Sequence, residues 1–487
     1  MVLAGLAIRL AVGASVHLTE DEAYYRLWAQ APALGYYDHP PMVAWWIWLG
    51  ERLAGDTPLG VRLLPALSCA LTSLLVYDLC RQGGGAPAEA RRATLWFNAM
   101  PLVVAGGFLG VPDAPAALFW TLSLWAALRA VGGRSVRWWL VAGAAAGLAA
   151  LSKYSSLFLG PGLLLWLAAT DRGRGALRTP GPWIALGLAG ALFGLNVGWN
   201  QTHHWLTFAK QFGRIAPHGF APRYLLEFAL TQFLLLNPLL AIFLARGRRF
   251  APFALSALPF IAYLVVHSLH DRIQAHWPAP VYPTLATLAA TAASGLGGRW
   301  ARLRELTPWV GFGMTAAVAL YAAAPLVGVP LSLDPALPIR GWPDFAGRVE
   351  ALRRGAGAGW IATTSYGLAA QLSDEPAIGA PVIQISERDR WSGLRTGVQA
   401  DTRRIGLLVE LPRRVDLDRL RRCFATVRSL GAIGRGDVGG ATKRYEAMLL
   451  SGSRRDVLRD GCADSRVQGG AAQASSEASP ASDSLRG

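Results

Sequence analysis

The stretch from residue 138 to residue 197 reads WWLVAGAAAGLAAL SKY SSLFLGPGLLLWLAAT DRGRGALRTPGP WIALGLAGALFGLNV. Its three apolar runs contain no acidic or basic side chain, and each approaches the roughly 17–25 residues that cross a bilayer as a helix. Similar runs recur along the chain, in which 53% of the 487 residues are hydrophobic and 16% are charged. A soluble protein of this length needs more charge to cover its surface. The sequence therefore predicts a polytopic α-helical membrane protein.

The apolar runs predict about eleven transmembrane helices. Their approximate bounds are 2–18, 59–80, 93–110, 114–131, 138–151, 154–170, 183–199, 228–245, 250–268, 278–294 and 308–328. Alternate connections between them carry three arginines each: Arg81, Arg91 and Arg92; Arg129, Arg134 and Arg137; Arg172, Arg174 and Arg178; Arg246, Arg248 and Arg249; Arg299, Arg302 and Arg304. The positive-inside rule puts these five connections and the N-terminus in the cytoplasm, so the other connections face outward.

The composition changes after about residue 329. Strand patterns at 360–364, 382–385, 405–411 and 445–450, with helical patterns at 366–372 and 417–430, predict a small α/β domain. The predicted organisation is a membrane domain over 1–328, with its first outer loop at 19–57, and an α/β domain over 329–450. A tail over 451–487, rich in Ser, Ala, Gly and Asp, is predicted to be disordered. With an odd number of spans, the α/β domain lies outside the cytoplasm.

The net charge of +16 is not typical of a nucleic-acid-binding surface here, because most of it is arginine in short loops between apolar runs. Lysine occurs only at positions 153, 210 and 443. The four cysteines, at 69, 80, 423 and 462, show no metal-type spacing. A disulfide between Cys423 and Cys462 remains open.

The first outer loop contains the sequence from Thr19 to Trp28, TEDEAYYRLW, and then GYYDHPP from Gly35 to Pro41. Acidic groups are expensive to desolvate at a membrane surface, so Asp21 and Glu22 at the mouth of a span indicate a polar cavity. The segments 21–31 and 41–53 are amphipathic and rich in Tyr and Trp, which favour the membrane interface. Both are predicted to lie along the membrane.

The string DEAYYRLWAQ…LGYYDHPPMVAWW resembles the first periplasmic loop of the protein O-mannosyltransferase-like superfamily, which includes the aminoarabinose transferase acting on lipid A. Further matching motifs follow in order: Pro112–Pro115, Gly147–Tyr154, Trp199–Asn200 with His203 and Trp205, and His276–Pro280. All of them fall on connections that the arginine pattern assigns to the outside. The resemblance covers roughly residues 1–300 and implies a GT-C glycosyltransferase fold in a bacterial inner membrane.

The resemblance also implies a mechanism. The donor is a polyprenyl-phosphate sugar, the acceptor attacks C1, the configuration inverts, and Asp21 acts as the general base, with Glu22 beside it. The leaving phosphate needs positive charge or a metal ion. The candidate phosphate-binding residues are Lys153, Arg272, His39, Arg62, Lys210 and Arg214, and the candidate substrate or loop contacts are Asp113, Tyr25 and His276.

Some members of the superfamily bind a divalent metal ion through a first-loop carboxylate and a later histidine. The equivalents in this sequence are Asp38 and His203. The lipid A enzyme has Glu-Lys-Pro where this chain has Asp38-His39-Pro40, so a histidine replaces the phosphate-binding lysine. His39 is therefore expected to serve either as a metal ligand or as a phosphate donor.

Structural roles compete with these assignments. Asp21 is also a good helix N-cap, and Glu22 is spaced to pair with Arg26. Asp113 between prolines is suited to capping the next helix, and Arg272 to pairing with its neighbour Asp271.

The function expected is transfer of a sugar from a polyprenyl-phosphate donor to a periplasmic acceptor: lipid A or its core, another envelope glycan, or a protein hydroxyl. The partners are these substrates and membrane lipids, and no nucleic acid. A transporter or lipid flippase is one alternative, but it predicts charged residues near mid-membrane and internal repeats, which the sequence lacks. A non-catalytic protein with a degenerate GT-C fold is the other.

Overall fold

The computed structural model describes residues 1–133, 135–213, 219–246, 251–323, 334, 336–394, 400–436 and 443–462. It divides into two compact units, Met1–Ser15 with Ala33–Ala317, and Val16–Pro32 with Val318–Gly487. Arg134, Arg214, Arg248, Arg249 and the predicted tail from residue 463 lie outside the described residues.

The first unit is built of α-helices. They are α1 (Val2–Ser15), α3 (Met42–Ala54), α4 (Pro58–Gln82), α5 (Pro87–Asn98), α6 (Pro101–Gly106), α7 (Asp113–Gly133), α8 (Val136–Ser152), α9 (Leu159–Ala169), α10 (Asp171–Leu177), α11 (Gly181–Thr202), α12 (Leu206–Gly213), α13 (Arg223–Leu235), α14 (Pro238–Ala245), α15 (Ala251–His267), α16 (Tyr282–Ala292) and most of α17 (Arg299–Ala323). A buried core of Trp, Phe, Leu and Ala side chains joins α4, α5, α7 and α14–α16.

Small residues let the long helices pack closely. A Cβ atom at Gly143 of α8 would lie 2.4 Å from the Ala185 carbonyl oxygen of α11, and one at Gly147 would lie 2.7 Å from Leu192. Close approach of this kind is the usual way in which helices associate in a bilayer, where apolar side chains gain nothing by leaving lipid. The two glycines therefore hold α8 and α11 in contact.

Three helices of the described chain, α4, α7 and α11, are long and apolar enough to cross a membrane by themselves. Counting each of two bent helix pairs as one span raises this number to five. The chain is thus a helical membrane protein, but the predicted eleven spans are not confirmed.

The difference arises because several predicted spans are divided. The run 93–110 is interrupted at Pro101, which begins α6, and the run 228–245 is interrupted at Asn237, with a φ of +79°, before Pro238. Proline has no amide hydrogen and clashes with the preceding helical turn. Mean hydropathy does not detect such breaks, so the sequence overestimated the length of continuous helix.

The second unit combines helices with a five-stranded sheet. Its helices are α2 (Glu20–Ala29), α18 (Trp342–Gly355), α19 (Tyr366–Asp374) and α20 (Leu417–Cys423), and its strands are β1 (Trp360–Thr363), β2 (Val382–Gln384), β3 (Gly406–Glu410), β4 (Phe424–Arg435) and β5 (Lys443–Ser453). The strand order is β2-β1-β3-β5-β4. β1 pairs in parallel with β2 and β3, whereas β5 pairs antiparallel with β3 and β4. The predicted small α/β domain is present.

The helix predicted over 417–430 is correct only in its first half. It ends at Cys423, and β4 begins at Phe424. Thr426, Val427 and Ile433 are β-branched and fit a strand, and the ladder with β5 is irregular at Gly431. The spacing of apolar residues did not distinguish the end of the helix from the start of the strand.

The C-terminal boundary also lies later than predicted. β5 continues to Ser453, and Cys462 forms a disulfide with Cys423. This disulfide ties the segment after β5 to the end of α20. Both cysteines are buried in the core of the unit beside Trp360 and Phe424.

The helix α2 groups with the C-terminal residues rather than with the rest of the first loop. It packs against α19, and its Tyr24, Tyr25, Leu27 and Trp28 side chains are buried within the unit. Protein packing therefore explains the amphipathic pattern that the sequence analysis assigned to the membrane interface.

Candidate functional site

In the first unit, three of the predicted site residues form one cluster. Lys153 Nζ donates a hydrogen bond to Asp113 Oδ1 over 2.7 Å, and His276 Nε2 lies 3.8 Å from Asp113 Oδ2. Asp113 and Lys153 are only 9% and 8% exposed, whereas the His276 side chain is 44% exposed. The cluster is a buried ion pair with an accessible imidazole at its edge.

Helix ends position these side chains. Asp113 is the first residue of α7 after Pro112, and Lys153 directly follows α8 with extended backbone angles, φ −156° and ψ 133°. His276 lies in the connection before α16. His39 of the first loop also lies within electrostatic reach of Asp113. Three residues from separate parts of the sequence therefore gather around the Asp113 carboxylate.

The charges of the cluster are balanced within it. A buried ion retains its charge only when a partner compensates for the lost hydration, and Lys153 and Asp113 do this for each other. Desolvation lowers the pKa of His276; Asp113 acts in the opposite direction, and Lys153 lowers it further.

The other predicted phosphate-binding residues have different surroundings. Arg62 is fully buried, donates to the Gly13 carbonyl of α1 over 2.9 Å and lies over the Phe108 ring. Arg272 Nε pairs with Glu227 at 2.8 Å instead of with the side chain of Asp271, which accepts from the Arg272 backbone amide. These contacts give both arginines a structural role within the protein.

Lys210 lies on α12, with its Nζ 5.5 Å from the centre of the Tyr37 ring. It is thus beside the GYYDHPP motif.

The predicted metal ligands are Asp38 and His203. The His203 ring stacks on Trp199 at 4.0 Å, and its Nδ1 lies 2.8 Å from the Trp199 carbonyl oxygen. Across the described ranges, no three His, Cys, Asp or Glu side chains form a group able to hold a metal ion. The described donor set therefore does not fit a three-ligand metal centre.

In the second unit, Asp21 is the second residue of α2 and is half-buried. The Tyr366 hydroxyl, at the start of α19, donates to Asp21 Oδ1 over 2.9 Å. Asp21 is not the N-cap, because Thr19 occupies that position and accepts from the Glu22 amide. Nothing in the sequence singled out Tyr366, which stands 345 residues from Asp21.

Glu22 completes a capping box. Its carboxylate accepts from the Thr19 backbone amide over 3.0 Å, and the residue is fully buried. Satisfying the unpaired amides at a helix start in this way stabilises the helix. Glu22 therefore has a structural role, and Arg26, its predicted partner, forms an ion pair with Asp374.

Aromatic side chains surround this part of α2. The Tyr24 ring lies 4.9 Å from those of Trp28 and Tyr366, and Tyr25 lies 4.8 Å from Trp28. The buried Arg390 guanidinium lies 4.4 Å from the Tyr366 ring. Tyr25, predicted as a substrate contact, is 6% exposed and packs within this cluster.

Comparison with known proteins relates the chain to glycosyltransferases. The model of the dolichyl-phosphate-mannose-protein mannosyltransferase family matches residues 38–199, a range that contains His39, Asp113 and Lys153. The lipid A galacturonosyltransferase RgtD of Rhizobium johnstonii is 28% identical over 282 residues, which are 55% of this chain and 59% of that protein.

A second relative is the undecaprenyl phosphate-alpha-4-amino-4-deoxy-L-arabinose arabinosyl transferase 2 of Pseudomonas fluorescens. It is 33% identical over 132 residues, which are 27% of this chain and 22% of that protein. The matched regions thus span less than two thirds of either relative.

Among solved structures, ArnT from Cupriavidus metallidurans bound to undecaprenyl phosphate superposes with a TM-score of 0.62. The identity is 15%, and the match covers 93% of this chain and 98% of that one, so the likeness is one of fold. Together with the sequence matches, it confirms that the chain resembles the protein O-mannosyltransferase-like and aminoarabinose transferase superfamily of GT-C glycosyltransferases.

Proposed function

We propose that this chain is a bacterial inner-membrane glycosyltransferase that moves a sugar from a polyprenyl-phosphate donor to a periplasmic acceptor, with inversion at C1. The observation that supports it best is the buried Lys153–Asp113 pair with His276 at its edge. This cluster occurs in a fold shared with a protein that was solved holding undecaprenyl phosphate.

The donor phosphate is the natural partner of this cluster. A polyprenyl-phosphate sugar is a phosphodiester with one negative charge, and the lipid phosphate that leaves can carry a second. Lys153, with His39 and His276 nearby, supplies cationic and hydrogen-bonding groups where that charge develops. Preorganised groups of this kind are worth more in a site shielded from water than in solution.

Asp21 is the proposed general base. As the acceptor hydroxyl oxygen forms a bond to C1, its proton passes to the Asp21 carboxylate. The bond between C1 and the phosphate oxygen breaks, and the lipid phosphate leaves with the electron pair. The hydrogen bond from Tyr366 orients the carboxylate by fixing one of its oxygens.

Two independent observations support the periplasmic side. The arginine-rich alternate connections favour an outward position for the first loop and the α/β domain. The Cys423–Cys462 disulfide lies in the same unit as Asp21, and disulfides persist in oxidising compartments rather than in the cytosol.

The names of the relatives support one class of acceptor. RgtD is named for lipid A, which favours lipid A as the acceptor here. The alternative acceptors are the core sugars attached to lipid A, another envelope glycan and a protein hydroxyl.

The test is a transfer assay in detergent. The purified protein is given undecaprenyl phosphate linked to a labelled sugar, galacturonic acid or aminoarabinose, together with lipid A or an envelope extract. Label should move to the acceptor without any sealed membrane, which a transporter does not do. Wild-type protein that moves no label to any acceptor in the extract would overturn the proposal.

Asp21→Asn should abolish transfer while the protein remains folded. The matched control is Asp171→Asn, because Asp171 is 95% exposed and pairs locally with Arg174 on α10. Full activity of the Asp21 variant would remove this residue from the mechanism.

A further inference from the structure

Three side chains hold alternate backbone carbonyls of the segment that leads to Asp38 and His39. Asn196 Nδ2 donates to the Leu34 oxygen over 2.8 Å, Thr207 Oγ1 to the Tyr36 oxygen over 2.7 Å, and Gln211 Nε2 to the Asp38 oxygen over 2.6 Å. Asn196 comes from α11, whereas Thr207 and Gln211 are one turn apart on α12. The segment is therefore held along its length by two helices.

The segment lies directly on α11. A Cβ atom at Gly35 would be 2.6 Å from Asn196 Nδ2 and 2.6 Å from the Trp199 ring. Any larger residue at position 35 would push the backbone away from α11 and stretch the hydrogen bond from Asn196 to the neighbouring Leu34 carbonyl. Glycine at this position is thus required by the close approach.

The side-chain oxygen of Asn196 contacts the segment that carries Lys153. Its Oδ1 accepts a hydrogen bond from the Tyr154 hydroxyl over 2.8 Å, and Tyr154 immediately follows Lys153. Asn196 and Thr207 are both completely buried. Buried polar groups are costly to leave unpaired, so these contacts confine the two segments to one arrangement.

We infer that Asn196, Thr207 and Gln211 are positioning residues for the donor-phosphate site. Asn196 joins the Leu34–His39 segment to Tyr154, and Thr207 and Gln211 hold the rest of that segment. Together they keep His39 and Lys153 in place around Asp113, where the donor phosphate is proposed to bind. The inference rests on the proposed function, since it assigns these residues to the binding of the same phosphate.

Thr207→Val provides the test, because valine has the shape of threonine without the hydroxyl group. Undecaprenyl phosphate alone is titrated into the purified full-length protein in detergent, and transfer kinetics are measured with the intact donor. The variant should bind the lipid phosphate about tenfold more weakly and raise the donor KM by a similar factor, because one buried carbonyl loses its donor. Thr207→Ser restores the hydroxyl group and should recover the affinity.

Thr202→Val is the matched control. Thr202 is exposed near the end of α11, and its hydroxyl contacts only carbonyls of its own helix and the adjacent His203. This variant should bind the lipid phosphate like the wild type, whereas an equal loss of affinity would show that the effect of Thr207→Val is not specific.

A double-mutant cycle tests whether Thr207 acts on the donor-phosphate site through His39. If Thr207 acts through His39, then Thr207→Val combined with His39→Asn should be little worse than His39→Asn alone. Additive losses, or a Thr207→Val variant with a lower thermal midpoint but unchanged lipid-phosphate affinity, would overturn the inference while leaving the proposed function intact. Wild-type protein that neither binds undecaprenyl phosphate nor transfers sugar would instead refute the proposed function.

Discussion

Neutralising Asp113 should separate the structural contribution of the buried ion pair from its role in transfer. In Asp113→Asn, the Lys153 side chain loses the carboxylate that lies 2.7 Å from its Nζ. Both residues are more than nine-tenths buried, so water can replace little of the lost interaction. Breaking one side of such a pair costs about 3–5 kcal/mol of folding free energy.

The double variant Asp113→Asn with Lys153→Met removes both charges and should recover most of that loss. Replacing a buried pair with uncharged residues of similar volume is often neutral for stability. The double variant should nevertheless transfer no sugar, because the proposed donor-phosphate site has lost its lysine. The double variant should thus be nearly as stable as the wild type and yet inactive in transfer.

Unfolding is followed with a thiol-reactive fluorescent dye, because Cys69 and Cys80 are buried, unpaired thiols of the first unit. The Asp171→Asn variant again serves as the control for a lost surface carboxylate. Transfer by the double variant within about twofold of wild type would refute the reasoning, since the ion pair would then be structural only. An unchanged midpoint for Asp113→Asn would refute the buried-charge argument.

Three further outcomes are expected in the second unit. Tyr366→Phe removes the hydrogen bond to Asp21 and should lower kcat about tenfold to a hundredfold with little change in donor KM, as steady-state kinetics would show. Glu350→Gln should destabilise the unit by about 2–3 kcal/mol at pH 7, because the hydrogen bond from Arg353 holds the pKa of Glu350 at about 2 in the folded state. This stabilisation is complete above the unfolded pKa and is lost as pH falls towards 2, so thermal melts of wild type and variant should converge in acid. Cys423→Ser opens the disulfide and should lower the midpoint of the second unit, whereas an unchanged midpoint with and without reductant would contradict a stabilising role.

Local patterns in the sequence predicted the elements of the fold well. Hydropathy located a helix in every predicted apolar run, and the strands near Trp360, Val382 and Gly406 lie where alternation and β-branched residues placed them. These properties depend on neighbours within one or two turns of chain, so they can be read without the fold. The break at Pro101 and the helix-to-strand change at Cys423 were missed, because mean hydropathy and apolar spacing hardly change there.

Residue chemistry and the motif resemblance also named Asp113, Lys153 and His276 singly, and they selected Asp21. Only the tertiary structure brought the first three together, over separations such as the 40 residues between Asp113 and Lys153, and it supplied Tyr366 as the partner of Asp21. It likewise paired Arg272 with Glu227 and grouped α2 with the α/β domain. Side chains far apart in sequence meet only through helix packing and strand pairing, and no local pattern contains that information.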